Sequence, residues 1–414
     1  MYKKYFLLLL LFLPSFATAG VRTGLDALID AKATLLKGNR IGLIVNQTSR
    51  TSSGEYGPDL FLKLKDLPLV ALFSPEHGIE GLRRAGVNSD TVEKYKGVPV
   101  YSLYGSTRKP TPSMLRGIDV LIFDIQDIGV RPYTYLSTMI LAMEAAAENK
   151  VEFIVLDRPN PLGGERIEGN IIDSALKSFV GQVPIPYIHG MTLGELAMMA
   201  KGERWFKSAD KLKLSVIQLK GWSRSMTWNE TGLNWIAPSP NIPTFESAVG
   251  TAMFGAIGEL GVLSIGIGSD KPFLRLGSRL INGDTLLLIA ESVLPKQVEV
   301  KRADFTVPYA DSTKTYSGLE ITLPRSIKSI SRLYGPEFEL FSGLLYNAQF
   351  KHSFDATTMS TKLMFEKVTG TEKVISALQL SSMDNLTPIS IVISSWKKDE
   401  AAFKLKRQKY LLYK

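Results

Sequence analysis

A series of short, unbroken apolar runs constrains this chain more than any other feature of its 414 residues. Ile41 to Val45, Leu69 to Phe73, Val98 to Leu103, Val120 to Phe123 and Phe153 to Leu156 are rich in β-branched and aromatic residues and show little alternation with polar ones. A strand with one wet face alternates, so continuous runs read as strands buried on both faces, as in a parallel sheet covered by helices. Between the last two runs, Leu136, Met139, Ile140, Met143 and Ala147 fall at the spacing of a helical stripe within Tyr135 to Lys150. Strand, helix and strand make a βαβ unit, and the expected fold is α/β with a Rossmann-like, mostly parallel sheet domain. Leu214 to Leu219 is a further strand candidate, and Thr192-Leu-Gly-Glu195 reads as a capping box, which gives Glu195 a structural task.

Prolines crowd Ile236 to Pro243 and the βα rhythm stops there. The expected division is a leader over residues 1–19, a Rossmann-like catalytic domain over 20–237 and a smaller α+β domain over 238–414 that closes a cleft. Leu319 to Leu323 and Ile389 to Ser394 are the strand candidates of the second domain, and no internal repeat or low-complexity tract occurs.

The chain opens with a basic start (Met1-Tyr-Lys-Lys-Tyr5), an apolar core from Phe6 to Leu13 and Ala17-Thr-Ala19. This is the pattern of a secretory signal peptide cleaved after Ala19, with a core far shorter than the ~20 residues that span a bilayer. The expectation is an exported protein, periplasmic or secreted, that begins at Gly20 and does not span a membrane. The absence of cysteine excludes disulfides, thiol nucleophiles and Cys-based metal sites. A net charge of +9 suits an anionic partner, an acidic glycan or membrane surface rather than nucleic acid. The lysine-rich tail, interleaved with Phe403, Leu405, Tyr410 and Leu411, reads as a solvated helix with one packed face.

Four of the five apolar runs end in hydrogen-bonding groups. Asn46 and Gln47 follow the first, and Glu76 and His77, inside Ser74-Pro-Glu-His-Gly78, follow the second. Asp124, Gln126 and Asp127, then Arg131, Tyr133 and Tyr135, follow the fourth, and Asp157, Arg158 and Asn160 the fifth. Ligands of open α/β sheets bind outside the carboxyl ends of the strands, so these ends together mark a site. The chain contains no G-x-S-x-G elbow, no Walker-type phosphate loop and no G-x-G-x-x-G, so no cofactor is expected. Carboxylates beside Asn, Gln, Arg and Tyr suit glycosidic hydrolysis, which needs a carboxylic acid at the leaving oxygen and usually a second carboxylate. An apolar strand in front of Glu76 disfavours a charged carboxyl, the condition a general acid needs. A divalent ion on His77, Asp124 and Asp127, serving a metal-dependent hydrolase, stays open on these residues alone.

The sequence resembles the exo-β-N-acetylmuramidase family of the NamZ type. The resemblance is carried by Gly42-Leu-Ile-Val-Asn-Gln-Thr48, Phe73 to Gly78, Pro99 to Gly105, Lys109 to Pro112 and Ile118 to Asp127. It continues through Arg131-Pro-Tyr-Thr-Tyr135, Asp157-Arg-Pro-Asn-Pro161, His189-Gly-Met-Thr192, Pro238 to Pro243 and Tyr410 to Tyr413. It implies a Rossmann-like domain, a smaller C-terminal domain, a cleft between them, and release of N-acetylmuramic acid from non-reducing ends of peptidoglycan fragments. It places the key acid on Glu76 and points to Glu168, in Gly163-Gly-Glu-Arg-Ile-Glu-Gly169, as the second carboxylate. His189 joins the strand-end groups as a substrate contact, and Arg131 or Arg158 is the cation expected for a lactyl carboxylate. The chain departs from the family at Ile267 and Leu274, where a basic residue and an acid are usual. A muropeptide binder that lost the chemistry is the alternative those departures favour.

Overall fold

The computed structural model describes residues 20–31, 33–82, 93–309, 312–380 and 387–414. The proposed leader lies outside the described residues. Seven strands form the first sheet: β1 (Ile41–Val45), β2 (Leu69–Ser74), β3 (Glu93–Tyr95), β4 (Val98–Ser102), β5 (Val120–Asp124), β6 (Glu152–Leu156) and β7 (Leu214–Ile217). Their spatial order is β3-β4-β2-β1-β5-β6-β7. Every neighbouring pair is parallel except β3 and β4, a hairpin turned through Lys96 and Gly97 at positive φ that sequence periodicity did not reveal. Chain direction across the sheet reverses between β1 and β5, which makes the gap between their carboxyl ends the topological switch point.

The apolar runs are continuous because alternate residues serve two cores. Ile41, Leu43, Val45 and Ile122 face one layer with α1 (Gly24–Asp30) and α2 (Gly57–Lys63). Ile44, Phe73, Leu121, Phe123 and Phe153 face the other, under α3 (Thr134–Asn149) and α4 (Leu193–Gly202). The capping box at α4 forms as the sequence indicates: Glu195 N donates to Thr192 Oγ1 at 3.2 Å and Thr192 N to Glu195 Oε2 at 3.1 Å.

The second unit holds α5 (Phe245–Gly258), α6 (Gly283–Val293) and an antiparallel sheet of β8 (Arg275–Ser278), β9 (Glu299–Arg302), β10 (Phe305–Tyr309) and β11 (Ser312–Thr322). Helices α7 (Pro336–Leu344), α8 (Ala348–Asp355), α9 (Met359–Thr369), α10 (Lys373–Leu380) and α11 (Thr387–Arg407) follow. The Leu319 run is strand β11, as expected. The Ile389–Ser394 run is not a strand: it lies in α11. Its β-branched composition favours a strand locally, yet the buried residues are Ile389, Ile393 and Trp396, a helical spacing, while Ile391 is 63% exposed. Packing overrides propensity here.

Helix α11 joins the two units. Ile389, Ile393 and Trp396 enter the second core, and Phe403, with Tyr410 beyond the helix, enters the layer under α3 and α4. Leu412 N then donates to Glu195 Oε1 at 2.9 Å and Tyr413 OH to Asp157 Oδ2 at 2.6 Å, so the basic tail is a packed strap. Phe403→Ala is expected to lower the unfolding free energy by about 3–5 kcal/mol in urea titration. Leu405→Ala, two residues on and 77% exposed, should stay within about 0.5 kcal/mol of the parent.

Candidate active site

Short side chains stitch the strand ends at the switch point. Asn46 Oδ1 accepts from Thr48 N (2.9 Å) and Thr48 Oγ1 (2.6 Å), and the same hydroxyl oxygen accepts from Gln126 N at 2.9 Å. Ser49 Oγ accepts from Asn46 N at 3.0 Å and donates to the Asp124 carbonyl, which ties the loop after β1 to the end of β5. Arg158, after β6, grips Asp124 with two nitrogens, Nε at 2.6 Å and Nη2 at 3.0 Å, and Nη2 also donates to the Arg50 carbonyl at 2.9 Å. Asn46, Asp124, Gln126 and Arg158 thus stand on one edge, as their positions after apolar runs indicate.

Glu76 occupies the adjacent strand end. Gly78 N donates to the Pro75 carbonyl at 3.1 Å, closing a four-residue turn that presents Glu76 at its corner. His77 sits in the left-handed region with φ 73°, a conformation that is uncommon for a residue with a Cβ and that concentrates at functional sites. Thr134 Oγ1, on the first residue of α3, donates to Glu76 Oε2 at 2.8 Å. The loop then passes so close to the segment after β1 that a Cβ at Gly81 would lie 2.0 Å from the Gln47 side chain. Two links from Gln47 and α3 bring residues 237–238 over this edge: Gln47 Nε2 donates to the Ala237 carbonyl at 2.7 Å, and Tyr135 OH donates to that of Pro238.

Tyr133 and Tyr135 pack edge to face, with centroids 4.7 Å apart. Burial raises the pKa of both phenols, and the charges of Glu76 and Asp127 add to the effect on Tyr135. Asp127 is the second carboxyl of this neighbourhood. Its Oδ1 accepts from Gly129 N at 2.7 Å, its Oδ2 has no hydrogen-bond partner among the described residues, and burial pushes the carboxyl up to about 7 against the pull of the Gly129 and Ile128 amides. Gln47 Oε1 and Gln126 Oε1 are also buried without a partner among the described residues. Buried polar atoms are nearly always paired, so such a concentration at one edge marks a place built for a ligand or ordered water.

Other residues expected at the site are engaged elsewhere. Arg131 donates to the carbonyls of Asn170, Ile185, Val368 and Thr369, the last two at the C-terminal end of α9, and burial holds it down at about 10. It joins the two units and has no face to offer a lactyl carboxylate. Glu168 pairs with Arg166 and accepts from Leu333 N and Tyr334 N, both at 2.8 Å, so it too is a joint between the units. Asp127, not Glu168, is the carboxyl that the structure sets beside Tyr135 with Glu76. His189 is buried and pushed down to about 3, by burial first and then by Arg407 and Arg131; its Nδ1 accepts from Met191 N at 3.2 Å. Asn160 braces a turn through Leu162 N and the Met191 carbonyl, with Gly129 so near that a Cβ there would meet Asn160 Oδ1 at 2.4 Å. Ile267 lines a cleft of about 270 Å³ between the units beside Tyr133, Tyr187 and Phe273, while Leu274 is buried in the second core.

Sequence reasoning missed Thr134, the hydroxyl on Glu76, although it lies within the quoted Arg131–Tyr135 stretch. It also missed Ser49 and Arg50, which follow the Gly42–Thr48 stretch directly. The combination of His77, Asp124 and Asp127 does not form a metal cluster: no group of three or more such ligands occurs among the described residues, and Asp124 is held by Arg158.

Comparison with known proteins decides the family. Residues 41–246 fit the family described as exo-β-N-acetylmuramidase NamZ, N-terminal, and residues 249–413 fit its C-terminal counterpart. The chain belongs to the NamZ family. It is a glycoside hydrolase by that membership. It is 38% identical over 407 residues to the peptidoglycan β-N-acetylmuramidase NamZ of Bacillus subtilis (strain 168), covering 95% of this chain and 91% of that protein. A crystal structure of a DUF1343 family protein from Bacteroides fragilis superposes with TM-score 0.86 at 37% identity, covering 95% of this chain and 99% of the other. A second such protein from the same organism gives 0.71 at 29% identity, covering 96% and 99%.

The raised Asp127 carboxyl has a thermodynamic consequence. The folded form keeps its proton up to about pH 7, whereas the unfolded chain releases it near pH 4, so stability from this group is present at low pH and is lost as pH rises between those values. Asp127→Asn keeps an acceptor for Gly129 and has no charge to bury. Its stability relative to the parent should therefore climb from pH 4 to 7, by at most about 1.4 kcal/mol per pH unit, in denaturant titrations at several pH values.

Proposed function

We propose that this protein releases N-acetylmuramic acid from the non-reducing ends of peptidoglycan fragments, with Glu76 as the general acid. The family match supports the reaction. The observation that carries the assignment is the turn at Pro75–Gly78, which sets Glu76 on the switch-point edge with the buried, unpartnered oxygens of Gln47, Gln126 and Asp127. In the proposed step Glu76 gives its proton to the glycosidic oxygen as the bond from C1 to that oxygen breaks. The oxygen of water completes C1, and its remaining proton restores the acid. Asp127, carrying a buried oxygen without a partner, is the second carboxyl in reach of the same tyrosines. Thr134 Oγ1 holds Glu76 by one carboxylate oxygen at 2.8 Å, which fixes the direction of the acid.

Loss of a general acid costs on the order of 10² to 10⁴ in rate. Glu76→Gln preserves shape and should bind a muramyl disaccharide while its kcat falls by that factor; turnover within a few-fold of the parent would remove the assignment. Glu195→Gln, at the α4 cap with Arg224 and Leu412 on the same carboxylate, should lower the melting temperature and leave kcat close to the parent's.

We further propose export, on the basis of the basic start, the short apolar core and the small-residue site before Gly20. N-terminal sequencing of protein from the producing cell is expected to begin at Gly20, and a retained Met1 would overturn this.

A further inference from the structure

We propose that the pocket at the switch point is a carboxylate-binding subsite, and that Arg50 is the residue through which it recognises the lactyl arm of an N-acetylmuramic unit. The inference rests on the muramidase reading and names the group that this reading leaves without a partner. N-Acetylmuramic acid differs from N-acetylglucosamine by one lactyl ether carrying a carboxylate. Telling the two apart therefore calls for a cation whose charge is not already neutralised.

Among the described residues, the arginines of the switch-point edge and of the joint between the units are engaged except Arg50; Arg108, beyond β4, lies over the Tyr104 and Phe179 rings and does not line the pocket. Arg131 and Arg407 face main-chain carbonyls deep in the protein. Arg158 is paired with Asp124, Arg166 with Glu168 and Arg224 with Glu195. Arg50 has no carboxylate partner among the described residues. Its Nε donates to the Gln47 carbonyl at 3.2 Å, its Nη1 to the Gly54 carbonyl at 3.0 Å, and its guanidinium lies 5.0 Å from the Tyr56 ring centroid. Carbonyls and a ring face hold a guanidinium in place without cancelling its charge, and Nη2 is left without a hydrogen bond.

This cation lines a pocket of about 290 Å³. Arg158, Thr48 and Gln126 form its polar side, and Trp228 and Ile236 stand on the apolar side, where the lactyl methyl group would fit. The Gln126 side chain is 4% exposed with Oε1 unpartnered, and Arg158 is 8% exposed with Nη1 free of hydrogen bonds, so buried polar groups besides Arg50 stand open on this wall. The nearby carboxylate, Asp26, is turned to Thr23 and Ser52, with Arg22 at 3.6 Å. Asp124 balances Arg158, and the charge of Arg50 is left to set the sign of the pocket. Gln47 connects the pocket to the acid: its carbonyl receives Arg50, and its side chain packs against Gly81 of the loop that follows Glu76. Gln47 thus stands between Arg50 and the loop that follows Glu76, and in the proposed pose the lactyl arm lies on the Arg50 side of that residue.

The test compares the parent with Arg50→Gln and Arg50→Lys on a chromogenic N-acetylmuramide and the matching N-acetylglucosaminide. Calorimetric titration with free N-acetylmuramic acid and thermal melts accompany it. A charged hydrogen bond to a carboxylate corresponds to roughly 10- to 100-fold in binding. Arg50→Gln should raise KM for the muramide by that factor with kcat moving less, lower the ratio of muramide to glucosaminide turnover, and weaken N-acetylmuramic acid binding equally. Arg50→Lys should recover part of the loss, and added salt should weaken the parent's binding more than that of Arg50→Gln. An unchanged turnover ratio together with unchanged N-acetylmuramic acid affinity in a folded Arg50→Gln protein would overturn the proposal. A parent that fails to cleave the muramide would instead overturn the muramidase reading. The titration then still decides the pocket, since equal affinity of parent and Arg50→Gln would count against it.

Discussion

The bidentate pair between Asp124 and Arg158 is the contact on which the switch-point edge depends. Both side chains are over nine-tenths buried, and desolvating two ions is costly unless their geometry and remaining hydrogen bonds are good. Here they are: two nitrogens meet two oxygens, and the guanidinium reaches on to the Arg50 carbonyl. The pair thereby fixes the end of β5, the start of the loop after β6 and the loop after β1 relative to one another. Asn46, Thr48 and Ser49 could not hold their places over β5 if that frame shifted. Removing one partner would strand a buried charge, an effect of about 3–5 kcal/mol, so the pair serves positioning more than net stability.

The same economy governs the joint between the two units. Arg131, Arg407 and Glu168 are charged and buried, and each is satisfied chiefly by main-chain groups: carbonyls for the arginines, amides for the carboxylate. For Arg131 the carbonyls of Val368 and Thr369 lie at the C-terminal end of α9, where the helix dipole adds to the attraction for a cation. Such contacts demand that the two units meet in one orientation. Helix α11 reinforces the demand by placing one end in each core. The cleft beside Tyr133 and Ile267 and the cover of residues 237–238 over the strand ends follow from that orientation.

Local sequence carried much of this because its signals were local. The runs at Ile41, Leu69, Val98, Val120 and Phe153 became strands because their apolar surface has to be hidden on both sides, whatever else the chain does. The turn at Pro75 to Gly78 was equally legible, since proline and glycine shape a turn by backbone geometry alone. The Ile389 run was misread because β-branched residues favour strands only until a neighbouring core rewards a helical stripe. Arg131, Glu168 and His189 stood in motifs that resemble a substrate site, and nothing in their spacing disclosed that their partners lie on distant segments such as 333–334, 368–369 and 407.

The sequence by itself determined a Rossmann-like sheet, its polar edge and the place of Glu76 on it, because hydrophobic period and turn chemistry act within a few residues. Tertiary structure alone decided which polar groups on that edge are engaged and which are open. It joined Asp124 to Arg158, withdrew Glu168 and Arg131 into the joint, and left Asp127 and Arg50 without ionic partners among the described residues. Pairing of buried charges is settled between segments that meet only in the fold, and no local pattern records it.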